Sequence, residues 1–141
     1  MAAELADQIN KGLGHYDRLI GVSMTQVSDT SARAEVLVRD ELKQPYGLVH
    51  GGVYASIAES LASWATAVGV RERGLAVGMS NNTSFLRPIT EGTIRAQATR
   101  IHGGRTTWIW DVEFRDDENR LCAVTRMTIA VRPAEGLTPT S

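Results

Sequence analysis

Alternation and four-residue spacing divide the chain into a short helix, two strands, one long helix and four further strands. Leu5, Ile9 and Leu13 recur every four residues until Gly12 and Gly14 interrupt the pattern, which predicts a small amphipathic helix over residues 3–12. β-Branched content rises from Leu19 to Thr30. Ala32, Ala34, Val36 and Val38 then alternate with Ser31, Arg33 and Glu35. That period of two predicts two strands, over 19–30 and 31–38, joined as a hairpin near Ser28-Asp29-Thr30. Residues 40–50 hold Pro45 and Gly47 and keep no period, so they form a loop.

Residues 51–70, GGVYASIAESLASWATAVGV, carry one charge, Glu59. Val53, Ile57, Leu61, Trp64 and Val68 fall within about 80° of one another at helical pitch, a stripe suited to packing on a sheet. The opposite side, with Ala55, Glu59, Ala62, Ser63 and Thr66, lacks the Lys and Glu of a solvated face, so the helix is expected to be buried on both sides. A carboxylate is costly to remove from water unless it is paired, hydrogen-bonded or used. Glu59 is therefore the first candidate for chemistry.

Beyond Arg71-Glu72-Arg73-Gly74 the chain reads as strands. Ala76–Leu86 runs up to Arg87-Pro88, and in 93–101 Ile94, Ala96 and Ala98 alternate with Arg95, Gln97 and Thr99. His102-Gly103-Gly104-Arg105 is the expected turn. Trp108, Trp110, Val112 and Phe114 then alternate with Thr107, Asp111 and Glu113, and Asp116-Asp117-Glu118-Asn119 turns the chain into Leu121–Val131. The order predicts an α+β fold, an antiparallel sheet wrapped around one long central helix, in a single domain over 1–141 with a frayed tail at 133–141. Trp108, Trp110, Phe114 and Cys122 are expected in the core. The small-residue helix face and the sheet edges call for a second copy of the chain to cover them.

Composition narrows the function. With 15 Lys and Arg against 16 Asp and Glu, a net charge of −1 and no basic cluster, the chain offers no electrostatic footprint for nucleic acid or an anionic membrane. The polar residues within 51–70 argue against a membrane span. One cysteine leaves no internal disulfide framework and no Cys/His spacing resembles a zinc site, which fits a cytoplasmic protein, and the acidic N-terminus argues against a secretory signal.

The loop and helix together carry a motif, Gln44-Pro45-x-Gly47-x-Val49-His50-Gly51-Gly52, followed by Glu59 and Ser63. It resembles the hotdog-fold acyl-CoA thioesterases of the PaaI-type branch. The segments NTSFLRP (82–88) and HGGRT (102–106) resemble that family in kind, order and spacing. In these positions the chain is similar to the family's aryl-CoA enzymes, such as the 4-hydroxybenzoyl-CoA thioesterase of the Arthrobacter type and the proofreading thioesterase of enterobactin synthesis. Thioester hydrolysis passes through an intermediate whose oxygen becomes negative, and the unpaired N–H groups at a helix N-terminus opened by two glycines suit that charge.

The resemblance implies that the Gly51 N–H polarises the carbonyl and that Glu59 acts as nucleophile or as general base. It further implies that Gln44 and His50 orient the thioester and meet the leaving sulfur, and that Ser63 holds the attacking water or Glu59. Asn82, Arg87, Arg105 and Thr106, with neighbouring Thr107, are the candidates for holding coenzyme A. No metal or cofactor is implied. The substrate is an aromatic or medium-chain acyl-CoA, with an acyl-carrier-protein thioester as a further possibility. Gly51 and Glu59 are two helical turns apart, ~12 Å by rise. That separation, with the family's habit, implies a homodimer or a dimer of dimers whose active sites are shared between chains. Two other readings remain: a hotdog hydratase or dehydratase, whose Y-x-H-F-like and His-Pro loops are missing here, and a non-catalytic acyl-CoA-binding protein of the same fold.

Overall fold

The computed structural model describes residues 1–133, the side chain of Glu72 aside. The expected tail lies, past Pro133, outside the described residues. Helices α1 (Ala2–Lys11), α2 (His15–Ile20) and α3 (Gly51–Val70) accompany strands β1 (Ser23–Val27), β2 (Ser31–Leu37), β3 (Leu75–Phe85), β4 (Thr93–Gly103), β5 (Thr107–Arg115) and β6 (Leu121–Arg132). All strand pairs are antiparallel, in the order β1-β2-β4-β5-β6-β3. α3 therefore leaves the β2 side of the sheet, crosses its inner face and delivers the chain to β3 at the far edge. This is the α+β arrangement that the residue periods predict, with β4, β5 and β6 as a meander.

Two elements differ from the reading of the sequence. Leu19 and Ile20, expected to open the first strand, instead end the helix α2 that begins at His15, and β1 is confined to Ser23–Val27. Gly21 explains the shift: at φ +88 it closes α2 by donating its N–H to the Asp17 and Arg18 carbonyls, a left-handed stop that a β-branched residue could not supply. The turn after β4 also comes later than expected. A bulge between Arg100 and His102 carries the strand on to Gly103, and Gly104 begins the reversal by donating to the Thr107 carbonyl.

The core lies between α3 and the sheet. Ile57, Ala58, Leu61, Ala62 and Ala65 on the helix are 0% exposed, as are Ile94, Ala98, Trp110, Val112, Phe114, Met127 and Ile129 on the strands. The buried sector of α3 is thus wider than the apolar stripe, because alanines bring the helix close to the sheet, while Trp64 and Val68 are only half-buried. Thr66, expected on the polar side, is inside. Its Oγ1 donates to the Ala62 carbonyl and accepts from the Trp110 indole N–H at 2.9 Å, so neither polar group is left unpaired. Cys122 is buried, as expected, and burial pushes its thiol pKa up.

The sheet's two edges differ. At β1, the Asn10 amide imitates a neighbouring strand, donating to the Met24 carbonyl and accepting from the Met24 N–H, each at 2.7 Å. At β3, Val77, Met79 and Phe85 are exposed, as is Leu86 just beyond it, and among the described residues no strand lies outside them. Such an edge is a template for pairing with another chain.

Candidate active site

His50 makes the N-terminus of α3. Its backbone is extended (φ −62, ψ 135), its carbonyl accepts from the Val53 N–H, and its Nδ1 accepts from the Gly52 N–H at 2.9 Å. With Nδ1 engaged as an acceptor, the neutral imidazole carries its proton on Nε2, and the ring is exposed. The Gly51 N–H has no partner among the described residues, leaving a donor at the positive end of a 20-residue helix. Gly51 is required by close approach: a Cβ there would sit 2.6 Å from Cζ of Phe85.

Gln44 stands beside this donor in the loop before α3. Its Oε1 accepts from the Tyr46 N–H, an Asx-like turn that leaves the side-chain NH2 without a partner among the described residues. Gln44, Gly51 and Arg87 line one groove of about 420 Å³, completed by Leu48, Val49, Tyr54, Phe85, Leu86 and Pro88. That size suits a small-molecule ligand, and apolar walls with a few polar groups are the usual composition. His50 borders a second hollow on the other side of the helix terminus, with Tyr16, Leu19, Leu42 and Gly52.

One row of α3 follows the edge strand. Gly51 lies under Phe85, the Ala55 carbonyl accepts from the Asn81 Nδ2 at 2.9 Å, and Glu59 lies along Gly78. The Asn81 Oδ1 in turn accepts from the Thr83 hydroxyl at 2.8 Å. Helix and strand therefore run side by side in opposite senses, and the small residues at 51, 55 and 78 permit the approach. Glu59 was expected inside a buried interface; in the single chain it is exposed, and its carboxylate has no hydrogen-bond partner among the described residues. Ser63, one turn on, is half-buried and makes no bond to Glu59.

The expected coenzyme A residues are dispersed. Arg87 is exposed in the groove with Gln44 and Gly51. Asn82 is on the outer face of the sheet, opposite Arg126 and beside Asp111, away from that groove. Arg105 and Thr106 occupy the β4–β5 turn, exposed, at the end of the molecule that holds the C-terminus of α3, where Gly69 packs under Trp108. Three residues that the motif did not single out help shape the site: Asn81 pins α3 to β3, Phe85 covers Gly51, and Tyr54 forms part of the groove wall. Strand alternation alone could not have found Asn81, because a bulge between Gly78 and Ser80 reverses which side chains face the helix. Among the described residues no helix is long and apolar enough to cross a membrane.

Comparison with known proteins agrees with this architecture. The family model described as the thioesterase superfamily matches residues 46–123, the segment from the loop before α3 into β6. A thioesterase of Haemophilus influenzae, classed as EC 3.1.2.-, superposes with a TM-score of 0.88 at 29% identity, over 95% of this chain and 94% of that one. A mutant thioesterase of Pseudomonas aeruginosa superposes at 0.86 with 33% identity, over 91% and 94%. AziG of S. sahachiroi superposes at 0.83 with 35% identity, over 86% and 98%. A sheet wrapped on one helix, the matched segment and these relatives together make the chain a member of the thioesterase superfamily, a hotdog-fold thioester hydrolase.

Proposed function

We propose that the protein hydrolyses an aromatic or medium-chain acyl-CoA in a site built from two copies of the chain. The Gly51 N–H polarises the thioester carbonyl and Glu59 of the partner subunit delivers the attack, as nucleophile or through a water. The free NH2 of Gln44 and the Nε2–H of His50 are donors suited to the thioester and its leaving sulfur. Ser63 steadies Glu59 or the attacking water.

The observation that carries this reading is the row along β3. Gly51 and Glu59 meet the same edge strand at Phe85 and Gly78, ~12 Å apart by helical rise, so one chain cannot close both on one carbonyl. If two β3 strands pair antiparallel about a two-fold axis near Asn81 and Asn82, Gly78 comes opposite Phe85 of the partner subunit. Glu59 of one chain is then brought to Gly51 of the other. The same pairing moves the Arg105-Thr106 turn of one chain toward the Arg87 end of its partner, which gathers the dispersed cations and hydroxyls for a nucleotide phosphate. Asn82 sits near the axis of that pairing.

A mixing experiment tests the shared site. Glu59→Gln is expected to lose at least ~100-fold in kcat while staying folded, since it removes the attacking carboxylate. Gln44→Ala is expected to be strongly impaired. Dissociated and re-associated together in equal amounts, the two variants should regain about a quarter of wild-type activity, because half the dimers then hold one intact site. No recovery in dimers shown to be mixed overturns the shared site, and full activity of Glu59→Gln overturns the role of that carboxylate.

A further inference from the structure

We propose that the Tyr54 hydroxyl binds substrate, donating a hydrogen bond to an oxygen of the thioester ligand that lies in the groove beside Gly51. This deepens the acyl-CoA thioesterase reading and rests on it. Tyr54 is only 3% exposed, on the first turn of α3, three residues after Gly51. Its ring is fixed between two others, edge-on to Phe114 at a centroid distance of 5.3 Å and tilted against Phe85 at 6.0 Å. A ring so held has little freedom to re-aim its hydroxyl.

That hydroxyl has no hydrogen-bond partner among the described residues, although the interior is otherwise satisfied. No fully enclosed side-chain nitrogen or oxygen lacks a partner there. The hydroxyl of Tyr54 is therefore not fully enclosed, and its residue is part of the wall of the groove beside Gly51. Of the other walls, Leu48, Val49, Phe85, Leu86 and Pro88 carry apolar side chains, and the polar ones, Gln44 and Arg87, make no hydrogen bond to it. A polar group placed on apolar walls without a protein partner costs stability, and a phenylalanine would pack as well. Burial, then the nearby Cys122 and Asp116, push the phenol up to about 12, so it stays protonated and acts as a donor at neutral pH.

Two parts of the substrate carry an oxygen that this donor fits. One is a hydroxyl or similar substituent on an aromatic acyl group; the other is an amide carbonyl of the pantetheine arm. The chemistry is shared, and the experiment separates the sources.

Wild type and Tyr54→Phe are compared on 4-hydroxybenzoyl-CoA, benzoyl-CoA and a linear acyl-CoA, and on the same acyl groups carried by a short alkyl thiol without amides. The expected result is a kcat/KM loss of about 10-fold, carried by KM with kcat little changed, the size of one hydrogen bond. Loss confined to the hydroxylated acyl group places the donor on the acyl side. Loss on every CoA ester that vanishes on the alkyl thioesters places it on the pantetheine. Either result supports the proposal, and Tm without ligand should be unchanged or higher because an unpaired hydroxyl is gone. Unchanged kcat/KM on all substrates, or a lowered Tm with a loss in kcat alone, overturns it. If the wild type cleaves none of these esters, the proposed aromatic or medium-chain acyl-CoA substrate class itself fails and the proposal falls with it.

Discussion

Glu59 lies along Gly78 with room for a methyl group and little more: a Cβ built on Gly78 would stand 3.4 Å from both Cγ and Cδ of Glu59. The strand backbone is thus the wall that sets where the carboxylate points. Alanine at this position makes ordinary van der Waals contact, whereas a branched side chain would have to move the carboxylate. Gly78→Ala is expected to lower kcat by about 3-fold or less and Gly78→Val by roughly 10- to 100-fold, since small misplacements of a reacting group are costly. Steady-state kinetics on an aryl-CoA, with Tm as a control for folding, measures the gradient. Equal effects of the two substitutions would argue against a steric wall.

The contact of Gly51 with Phe85 makes a separable prediction. Phe85 is 60% exposed, so its ring can swing outward, and Gly51→Ala should fold. It would nevertheless push the ring from the mouth of the groove, and kcat/KM is expected to fall by at least ~10-fold through lost access to the Gly51 N–H. In a Phe85→Ala background the same substitution should cost less. The double-mutant cycle then shows a coupling between the two positions that independent effects would not produce.

Thr66 offers the opposite control, a residue on the same helix that serves only the fold. Its hydroxyl accepts the Trp110 indole N–H in a place where both residues are 0% exposed. Thr66→Val keeps the shape and orphans that N–H, at a cost of about 1–3 kcal/mol. Denaturant titration should show this loss, with kcat/KM on acyl-CoA nearly unchanged in the folded enzyme.

The legible parts of this chain are those where one period runs undisturbed. β2, β4 and β5 alternate small or apolar residues with mostly polar or charged ones, and α3 has 20 residues with a clear stripe, so each was readable to within a residue or two. α2 was hidden because its six residues are too few to show a helical period and the β-branched content rises from Leu19, across the helix end and into β1. Only the pair Gly14 and Gly21, framing it, marks the helix. The site was readable as a set of residue types, since Gln44, His50, Gly51 and Glu59 follow one another on a loop and a helix. Its arrangement was not. The bulge between Gly78 and Ser80 reverses the facing of β3, placing Asn81, Thr83 and Phe85 toward α3 and sending Asn82 to the outer surface. The exposure of Glu59 follows from a property that the residue pattern does not display, the place of β3 at the edge of the sheet among the described residues.

A last prediction concerns acid stability. Asp116, 6% exposed, holds the β5–β6 turn together: Oδ1 accepts from the Glu118 and Arg120 N–H groups, and Oδ2 accepts from the Arg120 Nε at 2.8 Å. Burial pushes this carboxyl's pKa up, but the hydrogen bonds and charge of Arg120, with the Glu118 N–H, outweigh it and hold it below the usual value. A carboxyl with a lowered pKa stabilises the folded state when ionised, so its contribution is present above the ordinary carboxylate range and is lost as pH falls through the folded-state pKa. Asp116→Asn should therefore lower Tm at neutral pH, and the gap from wild type should close as the solution is acidified below that range. Because the turn also positions Cys122, whose carbonyl accepts from the Leu86 and Arg87 N–H groups, the neutral-pH variant should lose order at the Arg87 side of the groove. Hydrogen exchange at Leu86 and Arg87 would register this as faster exchange in Asp116→Asn than in wild type, and equal exchange would separate the turn from the groove.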